Sequence, residues 1–185
     1  VDLGPEMTPA EVFQRAEEKF TRAIEAATTA QLDSIRYMAL IGRARARVNQ
    51  SKLAEAAADA AQVPDGFELH ARYTSASNRS ENRLFRNNNT TGQVTVDPSY
   101  RGLTFEGVAD PRVPVIDADR LGANASTPLW SQHKYPSLNS SIPIASWREA
   151  LLIRAEAARG QTAVELINEL HARVNAQLTL SRLRH

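Results

Sequence analysis

Apolar positions recur with a helical period at both ends of the chain and lose it in the middle. Towards the C-terminal end, Trp147, Ala150, Leu151, Arg154, Ala157 and Ala158 fall at i, i+3, i+4 and i+7 spacing, which places them on one helix stripe. Gly160 reads as a joint, after which Thr162 is placed to cap a second helix with Glu165 in capping-box position. Val164, Ile167, Leu170, His171 and Val174 form the predicted inner stripe of that second helix. At the other end, Thr8-Pro9-Ala10-Glu11 combines a cap, a proline in the first turn and a capping-box glutamate. It predicts a helix to about residue 27 with Val12, Phe13, Ala16, Phe20, Ala23, Ile24 and Ala27 inward. A second helix is predicted over 31–48, with Leu32, Ile35, Ala39, Leu40 and Ala46 inward. Ser51 is expected to cap a third, over 52–62, stopped by Pro64-Asp65-Gly66. The alanines of that third helix let helix axes approach closely.

Between 67 and 143 the helical period is lost. Residues 67–73 alternate like a short strand. Asn87-Asn88-Asn89-Thr90-Thr91-Gly92 reads as a turn cluster leading into a second possible strand over 93–96. Residues 98–102 suggest a helical turn, and Asp110-Pro111-Arg112 and 122–128 read as loop. The expected organisation is a mainly α single domain or fragment, helical over 8–62 and 145–177. The irregular, partly β insertion over 67–143 forms either a pocket or an interaction arm.

Composition narrows the function classes. Hydrophobic residues make up 42% and charged residues 23% of the 185, as in ordinary globular domains. A net charge of +1 supplies no field to attract nucleic acid. The absence of cysteine excludes disulfides, thiolate metal sites and cysteine nucleophiles in this sequence. No apolar run approaches the roughly 20 residues of a membrane span. The chain starts at Val1 without a signal peptide, so it is expected to be processed, trimmed or a fragment.

The two helical blocks align without a gap. Residues 39–51 set against 150–162 pair Ala39 with Ala150, Leu40 with Leu151, Arg43 with Arg154, Ala44 with Ala155, Ala46 with Ala157, Gln50 with Gln161 and Ser51 with Thr162. That pattern reads as a helical repeat, although alanine-rich helices also align by chance.

Several stretches, in order, resemble the SusD/RagB family of bacterial outer-membrane lipoproteins. Thr8-Pro9-Ala10-Glu11-Val12-Phe13 and the helix ending Ala23-Ile24-Glu25-Ala26-Ala27 are similar to the family's early repeat helix. Ala39-Leu40-Ile41-Gly42-Arg43-Ala44-Arg45-Ala46 and Leu53-Ala54-Glu55-Ala56-Ala57 resemble its alanine-rich helix pair. Asp110-Pro111-Arg112 resembles its D-P-R loop, and Lys134-Tyr135 with Ile142-Pro143-Ile144 the entry to its last repeat. Trp147-Arg148-Glu149-Ala150-Leu151-Leu152-Ile153-Arg154-Ala155-Glu156-Ala157 is similar to R-x-A-E-v-L-L-I-x-A-E-A, and residues 164–175 continue the match. The family's anchoring cysteine and its E-R-x-x-E-L-x-F-E-G-x-R run are missing from this sequence, so a shortened relative or a fragment is expected. The resemblance implies a superhelix of tetratricopeptide-like hairpins, at the bacterial cell surface. It implies a non-catalytic protein that captures oligosaccharide or peptide nutrients for a SusC-like TonB-dependent transporter, without cofactor.

Candidate chemistry is sparse. His70, His133, His171 and His185 are scattered without metal-ligand spacing. Asp117-Ala118-Asp119-Arg120-Leu121-Gly122 begins like a calcium loop, but Leu121 offers no oxygen and Pro128 stands at the twelfth position. No metal or catalytic residue is therefore expected. The sequons at Asn49, Asn78, Asn88, Asn89, Asn124 and Asn139 follow from Asn- and Ser-rich loops. Glu149 and Glu156 lie seven residues apart and are expected to answer the nearby Arg148, Arg154 and Arg159. Sugar recognition needs flat aromatic faces with amide and charged groups beside them. Tyr73, Tyr100, Trp130 and Tyr135 supply the aromatics, and Asn87, Asn88, Arg112 and Gln132 the polar groups. Trp130, Gln132, Tyr135 and Arg112 form the candidate ligand-binding set, with packing of the aromatics on the scaffold as the competing reading. The alternative function is a structural or assembly subunit that uses its helical repeats and an extended insertion to bind other protein subunits.

Overall fold

The computed structural model describes residues 4–105 and 107–182, and among these the side chains other than Phe105 and 174–182. The chain forms two compact units: Val1–Leu69 with Pro143–His185, and His70–Ile142. Six α-helices and six short strands are present among the described residues, a mainly α architecture.

The first unit holds α1 (Pro9–Thr29), α2 (Asp33–Asn49), α3 (Leu53–Ala60), α5 (Trp147–Ala158) and α6 (Gly160–Arg182). The start of α1 follows the sequence. The Thr8 hydroxyl accepts from the Glu11 amide at 3.3 Å, and the Glu11 carboxylate accepts from the Thr8 amide at 2.7 Å. The core lies where α2, α3 and α5 meet, with Ile41, Ala44, Ala56, Ala60, Ala145, Ala150 and Ile153 buried together. Beside it Trp147, Leu151 and Leu170 join α5 to α6, with Val63 and Phe67 packed on both clusters. Burying a side chain the size of Ile41 contributes about 1.5–3 kcal/mol. Gly42 makes room for Phe20: a Cβ there would stand 2.4 Å from the Phe20 ring, which would have to shift. The absence of that Cβ lets α1 press its aromatic side chain against the α2 backbone.

Several local expectations shift. Leu32 and Ile35 face solvent, while Ile41, Gly42 and Ala44 join the buried side of α2. Ser51 adopts φ 60° and caps nothing; α3 starts without a side-chain cap. Thr162 lies inside the first turn of α6, because the helix begins two residues earlier at Gly160. The joint is Gly160, at φ 54°, together with Arg159, at φ 56° and ψ 177°, a backbone region that disfavours any side chain. The inward stripe of α6 is rotated by one position: Ala163, Leu166 and Leu170 turn inward, whereas Val164, Ile167 and His171 are exposed. The Val174 side chain and His185 lie outside the described residues. Glu149 pairs with Arg45 of α2, its Oε2 accepting from Nη2 at 2.6 Å, rather than with its sequence neighbours.

The chain leaves the first unit through β1 (Glu68–Ala71) and returns through β6 (Ile142–Ser146), and these two strands pair. The Trp147 amide donates to the Phe67 carbonyl at 2.8 Å just beyond that pair. Ser146 then caps α5, its hydroxyl accepting from the Glu149 amide at 3.3 Å.

The second unit is ordered rather than a structureless span or an extended arm. It contains α4 (Arg83–Phe85) and the hairpins of β2 (Thr104–Phe105) with β3 (Val108–Ala109) and of β4 (Val115–Leu121) with β5 (Pro128–Gln132). The expected strand over 93–96 is irregular chain, and the supposed turn cluster is a π-helical turn over Arg86–Thr90. The 3-10 turn Pro98–Tyr100 falls where a helical turn is expected. In the longer hairpin Val115 pairs with Gln132, Ile116 with Ser131, Asp117 with Trp130 and Leu121 with Pro128, with a bulge between Asp117 and Leu121. The 122–127 loop is closed by the Gly122 amide donating to Thr127 O at 2.8 Å.

Candidate functional site

Of the four candidate residues, Arg112 precedes β4, while Trp130 and Gln132 lie on β5 and Tyr135 follows it. That strand is flanked on one edge by asparagine side chains rather than by another strand. The buried Asn88 donates from Nδ2 to Trp130 O at 3.0 Å and to Val94 O at 2.9 Å, while its Oδ1 accepts from the Gln132 amide at 2.7 Å. Asn89 Nδ2 donates to Gln132 O at 2.9 Å. Thr95 Oγ1 accepts from the Trp130 amide at 2.8 Å, and the Val96 amide donates to Trp130 O at 3.1 Å. A carboxamide carries the same donor and acceptor as a peptide group, so Asn88 completes the ladder where backbone is absent. Asn82, fully buried, does similar work. Its Oδ1 caps α4 at the Leu84 and Phe85 amides, and its Nδ2 donates to Ser140 O. The acceptor amides of the Asn88 and Asn89 sequons are therefore occupied within the fold.

Trp130 and Gln132 alternate with the buried Leu129 and Ser131, so both project from the other face of β5. Trp130 is half-buried. The Arg101 guanidinium lies 4.9 Å from its ring centre and is tied to Val96 O by Nε and Nη2 at 2.9 and 2.7 Å. One face of the indole is thus covered by a cation. Gln132 Nε2 donates to Asn89 Oδ1 at 3.0 Å and to Tyr135 O at 2.9 Å, and its Oε1 accepts from the Tyr135 amide at 2.9 Å. Gln132 therefore links β5 to the Tyr135 turn. Arg112 is bound elsewhere: it closes on Asp110 across their own turn, Nη2 to Oδ2 at 2.7 Å, and holds the Asp110 carboxyl down to about 2. Gln132 shares a strand face with Trp130 and is bonded to the main chain of Tyr135; no contact joins Arg112 to them among the described residues. Asp117, read in sequence as the first position of a failed calcium loop, is the register partner of Trp130 in β4. Its Oδ1 accepts from the Asp119 amide at 3.0 Å.

A second polar centre, absent from the candidate set, lies in the helical unit. Asp59 of α3 is 2% exposed and accepts three bonds: Arg43 Nε at 2.8 Å, Arg43 Nη2 at 2.7 Å and Arg47 Nη1 at 2.9 Å. Arg47 Nε also donates to Glu17 of α1 at 2.8 Å, and Glu17 Oε2 accepts from Lys52 Nζ at 2.7 Å and Gln50 Nε2 at 2.9 Å. The Lys52 bond leads the stabilisation of the Glu17 carboxylate, with Arg47 and Gln50 adding to it against desolvation, and the group is held down to about 2. The Arg43 guanidinium is pushed up by its bonds to Asp59. A shallow groove of about 520 Å3 runs over this network, lined by Gln14, Glu17, Glu18, Thr21, Arg22 and Lys52. Its acids and bases are balanced. The signal in sequence is the i, i+4 pair Arg43 and Arg47 among the alanines of α2, which sets two guanidinium groups side by side on one helix face.

Among the described residues no cluster of histidine, aspartate and glutamate has the geometry to hold a metal ion, and no helix is long and apolar enough to cross a membrane. No family model, curated protein or solved structure matches the chain.

Proposed function

We propose that the protein is a non-catalytic binding protein of SusD-like kind. In this reading α2–α3 and α5–α6 are repeat-like scaffold pairs of a tetratricopeptide-like array. The 70–142 unit presents a surface that captures a glycan or peptide nutrient, which is passed to a TonB-dependent transporter at the bacterial outer membrane. The repeat pairing draws support from the shared burial of Ala39 and Ala150, Leu40 and Leu151, and Ala44 and Ala155. It is opposed at Arg43, which enters the buried charge network while Arg154 is exposed.

The observation that carries the ligand reading is the built setting of Trp130. A half-exposed indole stands on a strand whose backbone is fixed by Asn88 and Thr95, next to an amide that holds Tyr135 in place. Preorganised aromatic and amide groups of this kind suit carbohydrate and peptide ligands. The test is calorimetric titration of neutral oligosaccharides and peptides against the protein and Trp130→Ala. Loss of binding in the variant supports the site, and undiminished binding rejects it. Assembly with other protein subunits is the second reading. It is favoured by the exposed aliphatics Val94, Val108, Ile116 and Leu121 of the same unit, which a sugar would not use.

A further inference from the structure

The β4–β5 hairpin has two unlike edges. The β5 edge is closed by side chains: Asn88, Asn89 and Thr95 take up the outward main-chain groups of Trp130 and Gln132. The direction of these bonds fixes the rest of the ladder. Backbone groups alternate along a strand, so if Trp130 and Gln132 turn away from β4, Ser131 turns towards it. Its register partner is Ile116, and the His133 amide donates to Pro114 O at 2.8 Å in the same phase. Pro114 and Ile116 therefore face β5, and the main-chain groups of Val115 and Asp117 face the opposite way. Among the described residues no strand pairs with that edge and no backbone group bonds to it. Beside it Ile116 is 52% and Leu121 49% exposed. Asp117 and Asp119 are exposed, and no cation lies within ion-pair distance of either among the described residues.

We propose that the outer edge of β4 is a docking strand for an extended, basic peptide segment. It deepens the peptide arm of the proposed function and rests on that reading. The free Val115 and Asp117 groups supply a strand-addition ladder, and the two uncompensated carboxylates select lysine or arginine on the incoming strand. Side chains of the peptide that alternate with its basic residues lie over Ile116 or Leu121. The bulge at Asp119, with φ 51°, ends the ladder and limits the docked segment to a few residues. The same acids and bulge would also serve to repel stray strands, and the experiment separates the two roles.

The probes are a soluble hexapeptide of alternating lysine and valine, its glutamate counterpart, and the lysine peptide N-methylated at alternate residues to remove its ladder donors. Binding is read by fluorescence anisotropy of the labelled peptides at low and high salt. The lysine peptide should bind at least about tenfold more tightly than either control. The double variant Asp117→Asn with Asp119→Asn should lower its affinity by a similar factor. Val115→Pro, which removes an outward donor while leaving the Ile116–Ser131 pair, should weaken it further. Equal affinity for the N-methylated peptide, or no binding of the lysine peptide, overturns the proposal. Neutral oligosaccharides titrated in parallel against Trp130→Ala keep the two ideas apart. Trp130-dependent glycan binding without peptide binding removes the docking strand and leaves the broader reading standing. Failure of both removes both.

Discussion

Replacing Asp59 with asparagine tests whether the α1–α2–α3 network holds the helical unit together. The side chain keeps its size, so no cavity forms. What changes is charge and donor pattern. Asp59 accepts three hydrogen bonds from Arg43 and Arg47 at 2.7–2.9 Å while only 2% exposed. In the Asp59→Asn protein one former acceptor becomes an NH2 facing a guanidinium. Hydrogen bonds to charged groups contribute about 1.5–3 kcal/mol each. Arg47 keeps Glu17 as a second partner and Arg43 keeps Thr21 at 3.1 Å, so the losses do not simply add. Breaking one side of a buried charge cluster typically costs about 3–5 kcal/mol, and the lower half of that range is expected here. With a urea m-value of about 1–3 kcal/mol per molar, the unfolding midpoint followed by circular dichroism should fall by roughly 1–4 M. A loss below about 1 kcal/mol, the scale of an exposed ion pair, would refute the claim that this network is desolvated. Arg112→Gln, which breaks the exposed Asp110 pair, should sit at that low end and serves as the control.

Three further outcomes follow from the same structure. The Glu17 carboxyl is depressed to about 2 in the folded protein from an ordinary 4.5. Its stabilising contribution is therefore complete above about 4.5 and lost as pH falls towards 2; Glu17→Gln should flatten that part of the acid unfolding curve. Asn88→Ala leaves the Gln132 amide and the Val94 carbonyl without their bonds and should destabilise the 70–142 unit by about 2–4 kcal/mol, seen as loss of amide exchange protection at Trp130 and Gln132. Gly42→Ala gains about 1 kcal/mol of helix propensity but drives a methyl into the Phe20 ring. A net loss of about 0–2 kcal/mol in thermal unfolding is expected.

The start of α1 was legible because its signal is local. Thr8 and Glu11 cap α1 within one turn, and of the stripe read over 147–158 Trp147, Ala150 and Leu151 are buried, whereas Arg154 and Ala158 are exposed and Ile153 and Ala155 are buried instead. The stripe of α6 was misjudged by one position because Thr162 is an attractive cap in sequence. The actual start depends on Arg159 holding a strained backbone, which no propensity predicts. The β4–β5 hairpin was hidden for another reason. Its strand β4 carries Asp117, Asp119 and Arg120, which mask any apolar alternation, and its closing edge is made by asparagines that elsewhere mark turns. Of the candidate site, the shared strand face of Trp130 and Gln132 could be read from their spacing of two residues. Arg112 could not be placed, because a guanidinium two residues from an aspartate closes on it locally.

The pairing of β1 with β6 bears on how the chain is made. The α2–α3 face that will receive α5 emerges from the ribosome early, with Ile41, Ala56 and Ala60 uncovered. Its partner is synthesised only after the whole 70–142 segment has passed. Left as coil, that segment would impose a long loop closure. Folded first, it draws together the chain ends that enter β1 and β6, which pair, and shortens the closure. Variants that loosen it, Asn88→Ala among them, should prolong exposure of the nascent helical face and lower soluble yield before they change the equilibrium stability of the helices.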